Sequence, residues 1–154
     1  MEDICYKELI NGFNHERLLS ILKQSKYFDY LTRGCPNVSE IYYFTHIIFY
    51  LSFFNRVRIC KLIQTTFEKY DLYEYILTYI IYCLKINNVD LLTELLICSN
   101  LICCSLPNEI VELSKEQIFS FLKISLSKKD TVDSFLEAYH TILLLIMLVN
   151  CREK

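Results

Sequence analysis

The chain has very little glycine, proline and alanine, and it contains no tryptophan. Its 154 residues include two Gly, two Pro and one alanine, Ala138. β-Propellers and glycine-rich nucleotide-binding folds need many glycines in their turns, so neither class is expected. Disordered proteins are poor in aromatic residues, whereas 14% of this chain is aromatic and only 22% is charged. We therefore expect a single folded domain over residues 1–154.

An excess of positive charge is also absent. Lys and Arg number 16 against 18 Asp and Glu, and the formal net charge is −2. The densest basic positions are the pairs Arg56/Arg58 and Lys128/Lys129. Because binding to nucleic acid requires a continuous Lys/Arg surface that neutralises phosphates, we expect no nucleic-acid partner.

The eight cysteines lack the Cys-x-x-Cys spacing that is typical of zinc sites and redox motifs. The chain begins with the acidic pair Glu2 and Asp3, and no apolar segment follows a basic one, so a secretory signal peptide is not predicted. We expect reduced, buried thiols in a cytoplasmic protein. The alternatives are a secreted protein with disulfides and a disulfide between the adjacent Cys103 and Cys104. The cysteines are Cys5, Cys35, Cys60, Cys83, Cys98, Cys103, Cys104 and Cys151.

Capping residues and the helical spacing of apolar residues predict an all-α fold. A residue that can cap a helix N-terminus precedes each apolar-periodic segment. These residues are Asn14, Asn37, Asn55, Asp71, Asn88, Ser114 and Asp130. The predicted helices are Asp3–Asn11, His15–Gln24, Val38–Phe54, Arg56–Tyr70, Leu72–Ile86, Val89–Ile102, Lys115–Leu126 and Thr131–Asn150, with one further turn at Glu109–Leu113.

Short polar breaks separate successive helices, which indicates antiparallel αα-hairpins. Helical solenoids have repeats of about 30 to 45 residues, but the breaks in this chain are irregularly spaced and no repeat consensus is present. We therefore predict a compact bundle of about seven to eight helices, with a short αα-hairpin solenoid as the alternative.

Three apolar segments raise the question of a membrane span: Ile41–Phe54, Leu72–Leu84 and Thr141–Val149. A transmembrane helix needs about 20 consecutive, mostly apolar residues, and all three segments are shorter. Buried helices are therefore favoured over membrane spans. The last segment, which precedes residues 152–154, leaves a peripheral membrane contact open.

The histidines offer few catalytic arrangements. His46 lies in an apolar helix, where an imidazole bonded to a backbone or Tyr group is expected. Glu137 and His140 have the Glu-x-x-His spacing of metal-binding bundles, but no second such motif is present. A cysteine nucleophile with a distant histidine stays open. Since no Walker loop, Rossmann glycine pattern or Gly-x-Ser-x-Gly motif occurs, we expect no enzyme, no cofactor and no metal.

Aromatic residues are abundant, with 12 Tyr and 10 Phe. Four tyrosines between residues 73 and 82 cannot all face one core, because their spacing distributes them around the helix. Enrichment in Tyr and Phe together with few charges is typical of interface cores. The codon usage of an AT-rich genome explains the same enrichment equally well. The candidate partner-binding residues are Tyr42, Phe49, Phe53 and Tyr79.

The composition resembles that of small proteins from large AT-rich DNA viruses. Length and helix number resemble those of the poxviral Bcl-2-like proteins, although the Asn-Trp-Gly-Arg and Leu-x-x-x-Gly-Asp motifs are missing. This resemblance implies a groove for an amphipathic partner helix. The leading hypothesis is an intracellular, non-enzymatic protein-interaction module, such as a viral effector that binds host proteins in the cytoplasm. The alternative is a structural or assembly subunit that forms a homodimer or larger homo-oligomer, or associates peripherally with a membrane.

Overall fold

The structure, a computed structural model, describes residues 14–31, 36–52, 72–127 and 132–152, together with Lys7, Ile10, Gly12 and Ile59. In these residues it contains six α-helices, one 3-10 helix and no strand, which confirms the all-α prediction. The helices are α1 (His15–Lys23), a 3-10 helix (Lys26–Leu31), α2 (Val38–Leu51), α3 (Leu72–Ile86), α4 (Val89–Leu101), α5 (Asn108–Ser127) and α6 (Val132–Arg152).

The six described α-helices are fewer than the seven to eight predicted. Two of the predicted helices, Asp3–Asn11 and Arg56–Tyr70, fall almost entirely outside the described residues. Helix α2 ends at Leu51, with Ser52 as its C-cap, and so is shorter than the predicted Val38–Phe54. The 3-10 helix was not predicted, because six residues are too few to show a periodicity.

Three of the predicted helix caps are confirmed. The side-chain oxygens of Asn14, Asn37 and Asn88 each accept a hydrogen bond, at 3.0 to 3.1 Å, from the backbone N–H three residues later. Each bond satisfies an N–H group that has no partner within its own helix. Asn87, with φ of +56°, completes the turn between α3 and α4 in the left-handed region that Asn tolerates.

Helix α5 begins earlier than the predicted Lys115–Leu126. The backbone N–H groups of Ile110 and Val111 donate to the carbonyl oxygen of Pro107, so the helix already forms at Asn108. The predicted single turn at Glu109–Leu113 is its first part. Ser114, predicted to cap the helix, lies inside it and donates its hydroxyl to the carbonyl oxygen of Ile110 at 2.7 Å. Because this hydroxyl bonds to the backbone of its own helix, Ser114 does not cap a helix N-terminus.

Helices α2, α4 and α6 lie side by side and point in the same direction. Near the start of α4, Asp90 accepts a hydrogen bond from Thr141 in the middle of α6, and Asn88 and Asp90 line one pocket with Val38 and Ser39 from the start of α2. The end of α4 lines a groove with Leu148, which lies later in α6. Further along α4, the thiol of Cys98 donates to the carbonyl oxygen of Thr45 in α2 at 3.8 Å. Helix α3 runs antiparallel to α4 because only two residues connect them. Helix α5 is also antiparallel to α4, since Gln117 donates to Asn87 at the start of α4, at 2.6 Å.

Helix α4 forms the centre of the core. It packs against α2, α3, α5 and α6, and every residue from Val89 to Ile102 is buried except Asp90 and Asn100, which are half-buried. A helix that is apolar on most of its faces needs neighbours on all of them. Each fully buried Leu or Ile contributes about 1.5 to 3 kcal/mol to folding. None of the described helices combines the length and the apolar content needed to cross a membrane.

A substitution at the centre of α4 tests this arrangement. Leu92 is fully buried, so Leu92→Ala is expected to lower the free energy of unfolding by about 2 to 5 kcal/mol through lost burial and the cavity left behind. The control is Leu126→Ala at an exposed position of α5, expected to change stability by no more than about 0.5 kcal/mol. Chemical denaturation followed by circular dichroism measures both. Equal losses would contradict a core centred on α4.

Candidate functional site

A group of polar side chains lies where α2, α4 and α6 meet, and we call it the Glu94 cluster. Its members contact one another although about fifty positions separate successive helices in the sequence. This is possible because the three helices are parallel and pack in one row. The cluster comprises Thr45 and His46 from α2, Asp90 and Glu94 from α4, and His140 and Thr141 from α6.

Glu94 is the central member, and only 2% of its surface is exposed. Its Oε2 atom lies 2.6 Å from Oγ1 of Thr45, and the same Thr45 oxygen lies 3.0 Å from the carbonyl oxygen of Tyr42. A threonine hydroxyl has one hydrogen and cannot donate to both acceptors. Both bonds form together when Glu94 is protonated, because its O–H then donates to Thr45 while Thr45 donates to Tyr42. The geometry therefore favours a neutral carboxylic acid at this position.

The electrostatic environment of Glu94 acts in the same direction. Burial raises the pKa of Glu94 above its ordinary value of 4.5, because a carboxylate loses its hydration in the interior. The hydrogen bond from Thr45 and the charge on His140 lower this pKa, and the charge on Asp90 raises it. The net effect is upward, so the cluster holds a proton more firmly than an exposed glutamate does.

His46 closes one side of the cluster. Its Nδ1 atom donates to the carbonyl oxygen of Tyr42 at 2.9 Å, and its ring lies tilted by 33° against the Tyr42 ring, with centroids 3.8 Å apart. Nδ1 lies 3.9 Å from Oε2 of Glu94. The prediction of a boundary imidazole bonded to a backbone group is confirmed.

His140 closes the opposite side. Its Nδ1 atom lies 3.5 Å from Oδ2 of Asp90, and its Nε2 atom lies 4.0 Å from Oε1 of Glu94. The charged partners of His140 therefore come from α4. The side chain of Glu137, which the sequence paired with His140, lies outside the described residues. Thr141 donates to Oδ1 of Asp90, and so the two residues together attach α6 to α4.

A pocket of about 370 Å³ opens onto this cluster, and we call it the Glu94 pocket. Asp90, Glu94 and His140 form its polar side, and the N-terminal part of α2 forms the other side with Tyr42 and Tyr43. The remaining lining residues are Val38, Ser39, Asn88 and Leu91. In the part of the chain that the structure describes, no group of three or more His, Cys, Asp or Glu side chains is arranged to hold a metal ion.

The three described residues of the predicted partner-binding set, Tyr42, Phe49 and Tyr79, do not form one surface. Tyr42 is exposed and lines the Glu94 pocket. Phe49 and Tyr79 are buried in the core, where Tyr79 packs edge-to-face on Phe44 with ring centroids 5.2 Å apart, so neither residue lines a groove. Phe53 lies outside the described residues.

Sequence reasoning missed Asp90 and Glu94, although one signal was present. Glu94 is a charged residue in the middle of the apolar segment Val89–Leu101, and a charge at such a position is buried only together with polar partners. Those partners, Thr45 and His140, come from distant segments. The signal therefore marks Glu94 but does not identify the residues around it.

An apolar surface on α5 and α6 is the second candidate site. A groove of about 820 Å³ lies between the C-terminal halves of α4 and α6 and the N-terminal half of α5. Its apolar lining includes Leu96, Ile118, Phe119, Leu148 and Val149. Beside the groove, an apolar stripe runs along the outside of α6, and we call it the α6 stripe. It consists of the exposed residues Tyr139, Leu143, Ile146 and Val149.

The cysteines depart in one respect from the expectation of reduced thiols. Cys83, Cys98 and Cys104 are not in disulfides, but Cys103 is disulfide-bonded. Because Cys104 is not in a disulfide, the alternative of a bond between the adjacent Cys103 and Cys104 is excluded. Cys83 behaves as a buried apolar residue: burial raises its pKa to about 12, and the charge on Glu94 adds to the effect.

The pH dependence of stability tests the protonation of Glu94. A pKa that is higher in the folded state stabilises the fold below the unfolded pKa, near 4.5, and this contribution is lost as the pH rises through the folded pKa. We expect Glu94→Gln, which is always neutral, to gain stability relative to the wild type as the pH rises above 4.5. Urea denaturation across pH measures the difference. Glu116→Gln, exposed on α5, is the control, and a pH-independent difference for Glu94→Gln would contradict the expectation.

Thiol labelling tests the described cysteines. Without reductant, iodoacetamide is expected to modify the half-buried Cys104 in the folded protein and to leave Cys83 and Cys98 unmodified until the chain unfolds, because only an accessible thiolate reacts. Cys103 is expected to react only after reduction. Peptide mapping by mass spectrometry measures each site. Rapid labelling of Cys83 in the folded protein would contradict its burial beside Glu94.

Comparison with known proteins adds one finding. Residues 35–112 match the profile of a family described as a domain of unknown function (DUF6895). The match covers just over half of the 154 residues, from α2 to the first turns of α5, and includes Tyr42, Thr45, Asp90 and Glu94. No curated protein and no solved structure matches the chain. The chain belongs to the DUF6895 family of domains of unknown function.

Proposed function

We propose that the protein is a non-enzymatic protein–protein interaction module, and that it binds an amphipathic helix of a partner through the α6 stripe and the adjoining groove. The observation that carries this proposal is the composition of the exposed side of α6. From Ala138 to Val149 the helix contains no Lys, Arg, Asp or Glu, yet Tyr139, Leu143, Ile146 and Val149 are all exposed.

An exposed helix face normally carries charged residues opposite its buried apolar stripe. Helix α6 instead buries Thr141, Leu144 and Leu148 against the core and presents a second apolar stripe to solvent. Contiguous apolar surface of this kind marks interaction sites in soluble proteins. Burial against a partner would remove the stripe from water.

The groove gives the partner a defined place. Phe119, 63% exposed, forms one wall on α5, and Val149 belongs to both the groove and the α6 stripe. A helix that lies along the stripe can insert apolar side chains, spaced three or four residues apart, into the groove. The polar residues Asn100, Asn108 and Lys115 line the same groove and offer hydrogen-bond donors to the partner.

The enclosure of α4 supports a compact bundle as the scaffold of this surface. In a solenoid each repeat contacts only its neighbours and leaves one face of every helix open. Helix α4 instead has neighbours on all sides in α2, α3, α5 and α6. The cytoplasmic location, the viral origin and the likeness to Bcl-2-like proteins stay predictions from composition.

The α6 stripe equally supplies the surface that the alternative function needs. In that case a second copy of the chain covers the stripe and the protein is an assembly subunit. The two functions differ in what the isolated protein does: an interaction module is monomeric until its partner is added, whereas an assembly subunit is already oligomeric at micromolar concentration.

A pair of matched substitutions tests the proposal. Ile146 and Ile81 are exposed to similar extents, 54% and 50%, but only Ile146 lies on the α6 stripe and Ile81 lies on α3. We expect the wild type to be monomeric by light scattering and to capture a partner from cell lysate. Ile146→Glu is expected to reduce the captured amount at least about tenfold, since a charge would have to be buried against the partner.

Ile81→Glu is the control and is expected to capture as much partner as the wild type. A wild-type oligomer that Ile146→Glu dissociates and Ile81→Glu does not would establish the assembly subunit instead. Equal capture by both variants, together with a monomeric wild type, would rule out the α6 stripe as the binding surface. Circular dichroism confirms that both variants remain folded.

A further inference from the structure

We propose that the Glu94 pocket binds an alkylammonium group, from a free amine or from a lysine side chain of another protein, and that Glu94 releases its proton when the cation enters. This inference concerns the junction of α2, α4 and α6 and does not depend on the α6 stripe. It rests on the charge of the pocket, on an available carboxylate oxygen and on the aromatic side of the pocket.

The charge of the pocket favours a cation. Its described lining holds two carboxylates, Asp90 and Glu94, and neither lysine nor arginine. His140 is the basic group of the lining, and it lies to one side of Glu94, 4.0 Å away. An anionic ligand would be repelled by Asp90, and also by Glu94 once Glu94 is ionised, whereas an ammonium group is attracted to both.

Glu94 also has an oxygen available for a ligand. Oε2 is engaged with Thr45 at 2.6 Å. Among the described residues, the nearest charged partner of Oε1 is Nε2 of His140 at 4.0 Å, which is too long for a hydrogen bond. In its ionised form Glu94, which is 2% exposed, is costly in the interior while Oε1 has no hydrogen-bond donor among the described residues. An ammonium group has three N–H donors and can supply one to Oε1 and another to Asp90.

The other side of the pocket suits an alkyl chain that carries a positive charge. Tyr42 and Tyr43 lie there edge-to-face, with ring centroids 5.7 Å apart. Aromatic rings attract ammonium groups through the negative charge of their faces, and Val38 and Leu91 add apolar surface for the stem. The volume of about 370 Å³ lies within the range of small-ligand sites, about 300 to 1,000 Å³.

Binding of the cation is coupled to a proton. In the empty pocket the geometry favours neutral Glu94, which donates to Thr45. The ammonium group interacts much more strongly with the carboxylate than with the neutral acid, so its entry favours loss of the Glu94 proton, which passes to solvent. For each cation that binds, up to one proton is released, so the net charge of the pocket changes by no more than one unit.

The titratable groups that face Glu94 influence this exchange of a proton for a cation. They are His46 from α2, Cys83 from α3, His140 from α6 and Asp90 from α4 itself. Because a lower proton concentration favours the exchange, the affinity for the cation is expected to rise with pH until Glu94 is ionised in the empty pocket.

Calorimetry with n-butylammonium as the probe tests the inference on the full chain. Butanol, which has similar size and no charge, is the reference ligand. We expect n-butylammonium to bind, butanol to bind at least about tenfold more weakly, and the affinity for n-butylammonium to rise with pH from about pH 4.5 until Glu94 is ionised in the empty pocket. Titrations in two buffers with different ionisation enthalpies measure the released proton.

Variants assign the site. Glu94→Gln is expected to weaken n-butylammonium binding at least about tenfold and to abolish the proton release. Glu116→Gln, exposed on α5, is the control and leaves both unchanged. If Glu94→Gln proves unstable, Asp90→Asn at the half-buried edge of the pocket provides a second variant, expected to weaken binding in the same direction.

A capped lysine, Nα-acetyl-lysine methylamide, separates the two sources of the ammonium group. Tighter binding of the capped lysine than of n-butylammonium identifies the side chain of a protein partner, and exclusion of the capped lysine identifies a free amine. The inference is overturned if neither cation binds better than butanol, or if Glu94→Gln binds n-butylammonium as well as the wild type does.

Discussion

The fold depends on enclosing α4, a helix without a solvent-facing side. Any uncovered face of this helix would expose apolar side chains to water, which is unfavourable. The helix therefore requires packing neighbours on all its faces. Helices α2, α3, α5 and α6 supply that enclosure. The parallel course of α2, α4 and α6 follows from the same packing, and it creates both the Glu94 cluster and the groove beside the α6 stripe.

Among the described residues, Glu94 is the one acidic or basic residue that is buried in the core, and it determines the polar chemistry of this part of the interior. Removing a carboxylate from water is costly unless it is neutral or hydrogen-bonded. Thr45 and the two flanking imidazoles partly offset that cost. The interior thus holds a polar centre that connects three helices, next to a pocket that opens to solvent.

The apolar surplus of the composition divides into two parts. One part fills the core around α4, where Ile, Leu, Phe44 and Tyr79 are buried. The other lies on the outside of α5 and α6, in Phe119 and the α6 stripe. A core alone explains the first part. The second part stays exposed in the described structure, and it is the physical basis for the proposed partner-binding function. Tyrosine enrichment, which the sequence suggested as the interface signal, contributes only Tyr139 to this surface.

The sequence by itself determined the helices, because caps and apolar spacing are local properties. Asn14, Asn37 and Asn88 act where the pattern placed them, and α3 has the predicted bounds. The pattern misplaced the start of α5, since Ser114 has the chemistry of a cap but bonds within the helix. Only the tertiary structure decided which apolar faces are covered. Phe49 and Ile146 are alike in sequence as large apolar residues on apolar helices, yet one is buried and the other exposed. Burial depends on neighbours from distant segments, and so does the meeting of Thr45, Glu94 and His140, because no local spacing encodes which helices pack together.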